Sequence, residues 1–192
     1  MIVLTLNCGS SSVKYALLDM PARQKLCNRI VDRVGLAGAL IKHSVADGEP
    51  LTTPQDCSDH TTAVGLIVKS LTSRDTGVIS DLSRIAAVGH RVVHGGETLT
   101  KSSIINKRAV HEIEELSTLA PLHNPPNLAG IRAAMALMPN IPHVAVLDTA
   151  FFTTIAPHIY IYPLPYQWYE KHRIRKYGFH GTSHQYLSLI HI

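Results

Sequence analysis

Hydrophobic and polar positions change their period several times along this chain, and each change marks an element. Ile2 to Leu6 is an unbroken apolar run, the pattern of a buried strand. The run stops at Asn7-Cys8-Gly9-Ser10-Ser11-Ser12 and resumes as a second strand over Val13 to Leu18. From Arg29 to Val45, valines and leucines separated by glycines predict one or two further strands of an antiparallel meander. The turn Asp47-Gly48-Glu49-Pro50 ends it. The period then becomes helical: His60, Val64, Ile67 and Leu71 share one face, with Ser58 or Asp59 as N-cap. Ile85 to Val88 predicts a short buried strand running into Gly89-His-Arg-Val-Val-His-Gly-Gly-Glu97. A helix over Lys107–Leu119 carries Val110, Ile113 and Leu116. Another over Asn127–Met138 carries Leu128, Ile131 and Met135. His143 to Leu147 is a strand that ends at Asp148. Three strands followed by α-β-α-α-β predict an α/β fold, a mixed sheet with flanking helices.

Beyond Asp148 the texture shifts. Pro157, Pro163 and Pro165 punctuate a stretch rich in tyrosine and holding the only tryptophan. We expect a first domain over residues 1–150 and the beginning of a second over 151–192. Gly181-Thr182-Ser183-His184 reads as the cap of a new helix, and the sequence ends two turns later, as a truncated chain would.

Composition narrows the possibilities. With 45% hydrophobic and 17% charged residues, the chain has ample material for a soluble core. Its net charge of +4 is spread along the sequence. The one basic cluster, Lys171 to Lys176, lacks the aromatic interleaving of a nucleic-acid surface and reads as a solvated or anion-steering rim. No nucleic-acid or membrane partner is expected, because no apolar run is long enough to span a bilayer. Cys8, Cys27 and Cys57 are odd in number and lack paired spacing, which fits a reducing, cytoplasmic protein without zinc or disulfides.

Five places carry candidate chemistry, each with a plainer alternative. The loop from Asn7 to Ser12, followed by Lys14, either joins two strands or turns its amides and hydroxyls on an anion. It is no Walker A loop, since a strand follows it. Arg91, after a buried strand and near Gly95-Gly96, is either a carboxylate or phosphate clamp or a surface ion pair. His123-Asn124 lies between prolines and either faces a ligand or links and caps two helices. Asp148, at the carboxyl end of a buried strand, occupies the usual position of a catalytic or metal-binding carboxylate, or else caps a turn. His180, between glycines and ahead of a helix start, either approaches a ligand near helix-terminal amides or is a structural histidine.

Five motifs in one order make the chain resemble the acetate kinase family. They are Leu6-Asn-Cys-Gly-Ser-Ser-Ser-Val-Lys-Tyr15, Gly89 to Glu97, Ala120-Pro-Leu-His-Asn-Pro125, Val144-Ala-Val-Leu-Asp-Thr-Ala-Phe151 and Tyr177-Gly-Phe-His-Gly-Thr-Ser-His184. The resemblance implies an actin-like, sugar-kinase-type architecture of two ribonuclease-H-like domains. It further implies ATP-dependent, reversible phosphorylation of acetate to acetyl phosphate with Mg²⁺ or Mn²⁺, by a homodimer when complete. It implies that Asn7 is linked to the metal, that Ser10, Ser12 and Lys14 contact phosphate, and that Arg91 holds the substrate carboxylate or the transferring phosphoryl. His123 and His180 would contact the phosphoryl group, and Asp148 would be the catalytic acid. Acetate is already ionised at neutral pH, so Asp148 is better suited to orienting a group than to removing a proton. Propionate or butyrate kinase, and a non-catalytic nucleotide-binding module, are the alternatives. Phe152 stands where the family commonly has histidine, and the later glycine-rich segments of the family have no counterpart. We therefore expect negligible turnover from the chain alone.

Overall fold

The computed structural model describes residues 1–46 and 48–190. Among them the strands form one eight-stranded sheet. Its antiparallel half is a meander of β1 (Ile2–Cys8), β2 (Ser12–Asp19), β3 (Gln24–Asp32), β4 (Leu40–Val45) and β5 (Leu51–Pro54). On the other side of β1 run β6 (Ile85–Val92) and β8 (His143–Leu147), both parallel to it, and β7 (Ser103–Ile104) closes that edge. The resulting order is β5-β4-β3-β2-β1-β6-β8-β7.

Parallel neighbours need crossover connections. Helix α1 (His60–Leu71) lies in the first, and α2 (Lys107–Glu115) and α3 (Asn124–Leu137) lie in the second. Asp59 caps α1 by accepting from the Thr62 amide at 2.7 Å, and Asn106 caps α2 through Ala109 at 2.9 Å. Each such cap contributes about 1 kcal/mol. Period-two alternation sets the faces: Leu4, Leu6 and Cys8 of β1 and Val88, His90 and Val92 of β6 are buried. That face packs against α1 and α3, with Leu4, Leu17, Ile67 and Leu71 fully enclosed. Burial of each large aliphatic side chain is worth about 1.5–3 kcal/mol. The opposite face carries Thr5, Asn7, Gly89 and Arg91, which are only half-buried. Because β1, β6 and β8 are parallel, their carboxyl ends emerge together, and Asn7, Arg91 and Asp148 come with them.

Several boundaries differ from the expectation. Strand β6 does not stop at Val88 but continues through Arg91 to Val92, because His90 takes an inward position that the alternation assigns to an apolar residue. Arg91 is thus part of the strand rather than the residue after it. Strand β1 likewise includes Asn7 and Cys8. Helix α2 ends at Glu115, and one tight turn over Leu116–Thr118 replaces the expected last helical turn. Helix α3 begins three residues early, at Asn124, with Pro125 in the first turn, where a missing amide loses no bond. Strand β5 is exposed along its length and gives no alternation to read. Residues 157–172 contain two short helices, α4 (Pro157–Tyr160) and α5 (Gln167–His172), ahead of the expected α6 (Gly181–Ile190). Asp47 of the expected turn, and His191 and Ile192 at the end, lie outside the described residues.

Candidate active site

Arg91 is the hub of the strand ends. Its Nε donates to both carboxylate oxygens of Asp148, at 3.0 and 3.2 Å, and its Nη2 donates to Oδ2 at 2.6 Å. This fork-on-fork geometry is strong and directional. It raises the already high pKa of the guanidinium, chiefly through the Asp148 hydrogen bond. Asp148 is only 3% exposed, whereas Arg91 is 35% exposed and has an edge left for solvent or ligand. That edge is Nη1, whose one partner among the described residues, Asn7 Oδ1, lies at 3.3 Å, the longest of these donor contacts except the one to His180. The His180 ring completes the group, with Nδ1 at 3.5 Å from Arg91 Nη2 and 3.8 Å from Asp148 Oδ2.

These residues open onto a cavity of about 690 Å³ together with Lys14, which pairs across the sheet with Asn7. Thr182 and Ser183, in the first turn of α6, line its mouth, while Thr5, Ala16 and Gly89 form a small-residue floor. Asn7, Lys14, Arg91, Asp148 and His180 therefore share one cavity. Ser10, Ser12 and His123 do not line it. Ser10 is exposed at the tip of the β1–β2 hairpin, where the Gly9 amide donates to the Ser12 carbonyl at 2.7 Å. His60 and the Val34 amide occupy the Gly9 and Ser11 carbonyls. His123 is exposed at the N-terminus of α3.

Sequence reasoning missed the supports of the site. Asn127 sits on the inner face of α3 and bridges two strand ends: its Oδ1 accepts from the Val93 amide at 3.0 Å and its Nδ2 donates to the Cys8 carbonyl at 2.6 Å. Asn124 is no simple cap. Its side chain accepts from the His94 amide at 3.1 Å and donates to the His94 and Ile113 carbonyls. Two asparagines amid apolar helix positions were the available signal, since a buried amide must be paired. Behind Arg91, His143 Nε2 donates to the Met138 carbonyl at 3.1 Å, so its Nδ1 accepts from His90 Nε2 at 2.9 Å. Burial, and then the neighbouring His143, push the His90 pKa down to about 3, so this pair is neutral. Burial likewise lifts the Cys8 thiol to about 12, which makes it packing rather than a nucleophile.

The segment from 157 to 181 is fastened to this frame at a few points. Glu97 accepts from Arg175 Nη1 at 2.6 Å and from the Tyr169 hydroxyl at 3.0 Å. The Arg175 guanidinium lies 3.4 Å from the centre of the Tyr160 ring and 4.8 Å from that of Tyr177. The Gly181 amide donates to the Asp148 carbonyl at 2.9 Å, and a Cβ at Gly181 would lie 2.3 Å from that oxygen. Only glycine permits so close an approach.

The profile of the acetokinase family matches residues 2–190. The chain belongs to the acetokinase family. It is 50% identical over 188 residues to an acetate kinase of Geobacter sulfurreducens, covering 98% of this chain and 45% of that protein. Among solved structures it superposes on an acetate kinase of Porphyromonas gingivalis with a TM-score of 0.93 at 47% identity, covering 98% and 47% of the two chains. A propionate kinase of Francisella tularensis gives a TM-score of 0.89 at 37% identity, covering 97% and 47%. The chain thus spans about half the length of the relatives it matches. The acetokinase fold accounts for the mixed sheet with flanking helices.

Proposed function

We propose that this chain carries the acyl and phosphoryl side of an acetate kinase site, which phosphorylates acetate to acetyl phosphate with ATP. The observation that carries the reading is the convergence of Arg91, Asp148, Asn7 and His180 on one cavity, in a chain half identical to an acetate kinase. Acetate as acceptor is favoured over propionate because the acetate kinases of Geobacter sulfurreducens and Porphyromonas gingivalis match at 50% and 47% identity, against 37% for the propionate kinase of Francisella tularensis.

The chemistry divides simply. Acetate is ionised at neutral pH, so no base is needed to start its attack on the γ-phosphorus. The obstacle is the repulsion of two anions. Arg91 and Lys14 supply positive charge on one side of the cavity, and the Nη1 edge of Arg91 is the donor that an oxyanion takes by displacing Asn7. Preorganised donors of this kind are worth about 3–4 kcal/mol each to a charged transition state. With both of its oxygens on Arg91, Asp148 aims the guanidinium and is not free to act as a base. His180 adds a ring donor at the mouth.

Among the described residues no group of three or more histidine, cysteine or acidic side chains forms a metal cage. Asn7 Oδ1 is a hard donor on the cavity wall and would suit magnesium held largely by water and substrate phosphates. Such an ion, when bound, supplies neutralisation of phosphate charge. To this reading belong a second domain starting near residue 151, a homodimer for the complete enzyme and a cytoplasmic location, the last in keeping with three buried free cysteines. No helix among the described residues is long and apolar enough to cross a membrane.

Calorimetric titration of the chain with acetyl phosphate tests the reading. Binding is expected, and in Arg91→Ala it weakens by about 30-fold or more, the loss of a charge-assisted pair. Equal binding by both proteins rejects the Arg91 site.

A further inference from the structure

Residues 148–152 grip the His180 loop at two points. The inner grip is Gly181 against the Asp148 carbonyl, with the Phe151 Cβ 2.8 Å from where a Gly181 side chain would begin. The outer grip is the Phe152 ring, which lies flat over Gly178: a Cβ there would sit 2.2 Å from both Cγ and Cδ2. Phe152 also meets His184, one turn into α6, edge-on at 5.5 Å. Between the two grips stands His180, with φ of +56°. A histidine in the left-handed region is uncommon, and such a conformation persists only where its surroundings over-determine it. It is this backbone setting that brings Nδ1 to 3.5 Å from Arg91.

We infer that Phe152 is a positioning residue: its ring against Gly178 holds His180 in the left-handed conformation that points the imidazole at Arg91 and Asp148. The clamp concerns this chain's backbone alone, and its consequence for ligand binding rests on the anion-binding reading above. The turn itself is firmly based, since the Phe152 amide donates to the Thr149 carbonyl at 3.1 Å and Thr149 Oγ1 accepts from the Gly95 amide at 3.0 Å. Phe152 is therefore anchored to the sheet end that carries Asp148, and it transmits that anchorage to a loop distant in sequence.

Nuclear magnetic resonance of the labelled chain tests this without any assay of turnover. A left-handed residue brings its own amide and α protons close, giving a strong intraresidue Overhauser effect at His180. We expect that signal in the wild type and its loss in Phe152→Ala, with affinity for inorganic phosphate about tenfold weaker, the worth of one misplaced charge-assisted donor. Phe152→Tyr and Phe152→His, which keep a ring over Gly178, restore both. Gly178→Ala drives a methyl group into the ring from the other side and should lose the signal, while Gly178→Ala with Phe152→Leu regains most of it. This second pair decides the question even if Phe152→Ala fails to fold. A His180 signal unchanged in Phe152→Ala and in Gly178→Ala overturns the clamp. A wild type that shows the signal yet no response of Arg91 to phosphate overturns the anion reading and leaves the clamp standing.

Discussion

The two halves of the site are built in different ways. Asn7 and Arg91 stand on the neighbouring parallel strands β1 and β6, whose ends Asn127 ties together, and Asp148 directly follows the next parallel strand, β8. His180 stands on a loop held by separate contacts: Gly181 on Asp148, Phe152 on Gly178, and Arg175 on Glu97. The sheet half shares its stability with the whole core. The loop half has stability of its own, and a single contact can change it.

Perturbing each half separately tests this contrast, and acid has the largest expected effect. In the unfolded chain His90 takes up a proton below about pH 6.5, but in the folded chain it does not until about pH 3. Unfolding therefore binds a proton throughout that window, and stability falls as pH falls, by about 1.4 kcal/mol per unit for this group. By pH 4 the loss is about 3 kcal/mol, with His143 and His94, also pushed down chiefly by burial, acting in the same direction. Urea unfolding at pH 7, 6, 5 and 4 measures the slope, and His90→Gln should flatten it. A wild-type slope near zero would place His90 in water.

Next in size is Asn127→Ala. It leaves the Val93 amide and the Cys8 carbonyl unpaired inside the protein, at a cost of about 2–4 kcal/mol in global stability. Urea midpoints measure this, and amide exchange across β1 and β6 should accelerate together. Arg175→Ala is smaller, about 1–2 kcal/mol, since it removes the charged bond to Glu97, an exposed bond to the Lys176 carbonyl and its ring contacts. Its effect should stay local: exchange quickens over residues 157–181 while the urea midpoint barely moves. If both substitutions act globally, the two halves are one cooperative unit and the contrast fails. Ser10→Ala should do least, within about 0.5 kcal/mol, as at other exposed positions, with unchanged affinity for acetyl phosphate by calorimetry.

The same contrast explains what the sequence discloses. The strands β1, β2 and β8 were legible as short apolar runs bounded by turn signals, and Asp148 as the residue at which the last of them ends. The end of β6 was not, because a histidine fills an apolar position only when a partner such as His143 keeps it neutral, and that partner is 53 residues away. Asn127 hid for the same reason, since its two bonds reach strands distant in sequence. The loop half was legible as motif but not as geometry. Nothing in Phe179-His180-Gly181 foretells a left-handed histidine, and nothing in Phe152 foretells that it lies on Gly178. Such features are set by single tertiary contacts, which leave no periodic trace.

A crystal of this chain soaked in inorganic phosphate puts the anion site to its sharpest trial. Phosphate density is expected within hydrogen-bond distance of Arg91 Nη1, on the side facing Lys14 and His180, with the Asn7 amide moved away. Phosphate found instead on the basic rim at Lys171 to Arg173, with the Arg91 cavity empty, would refute Arg91 as the anion-holding group.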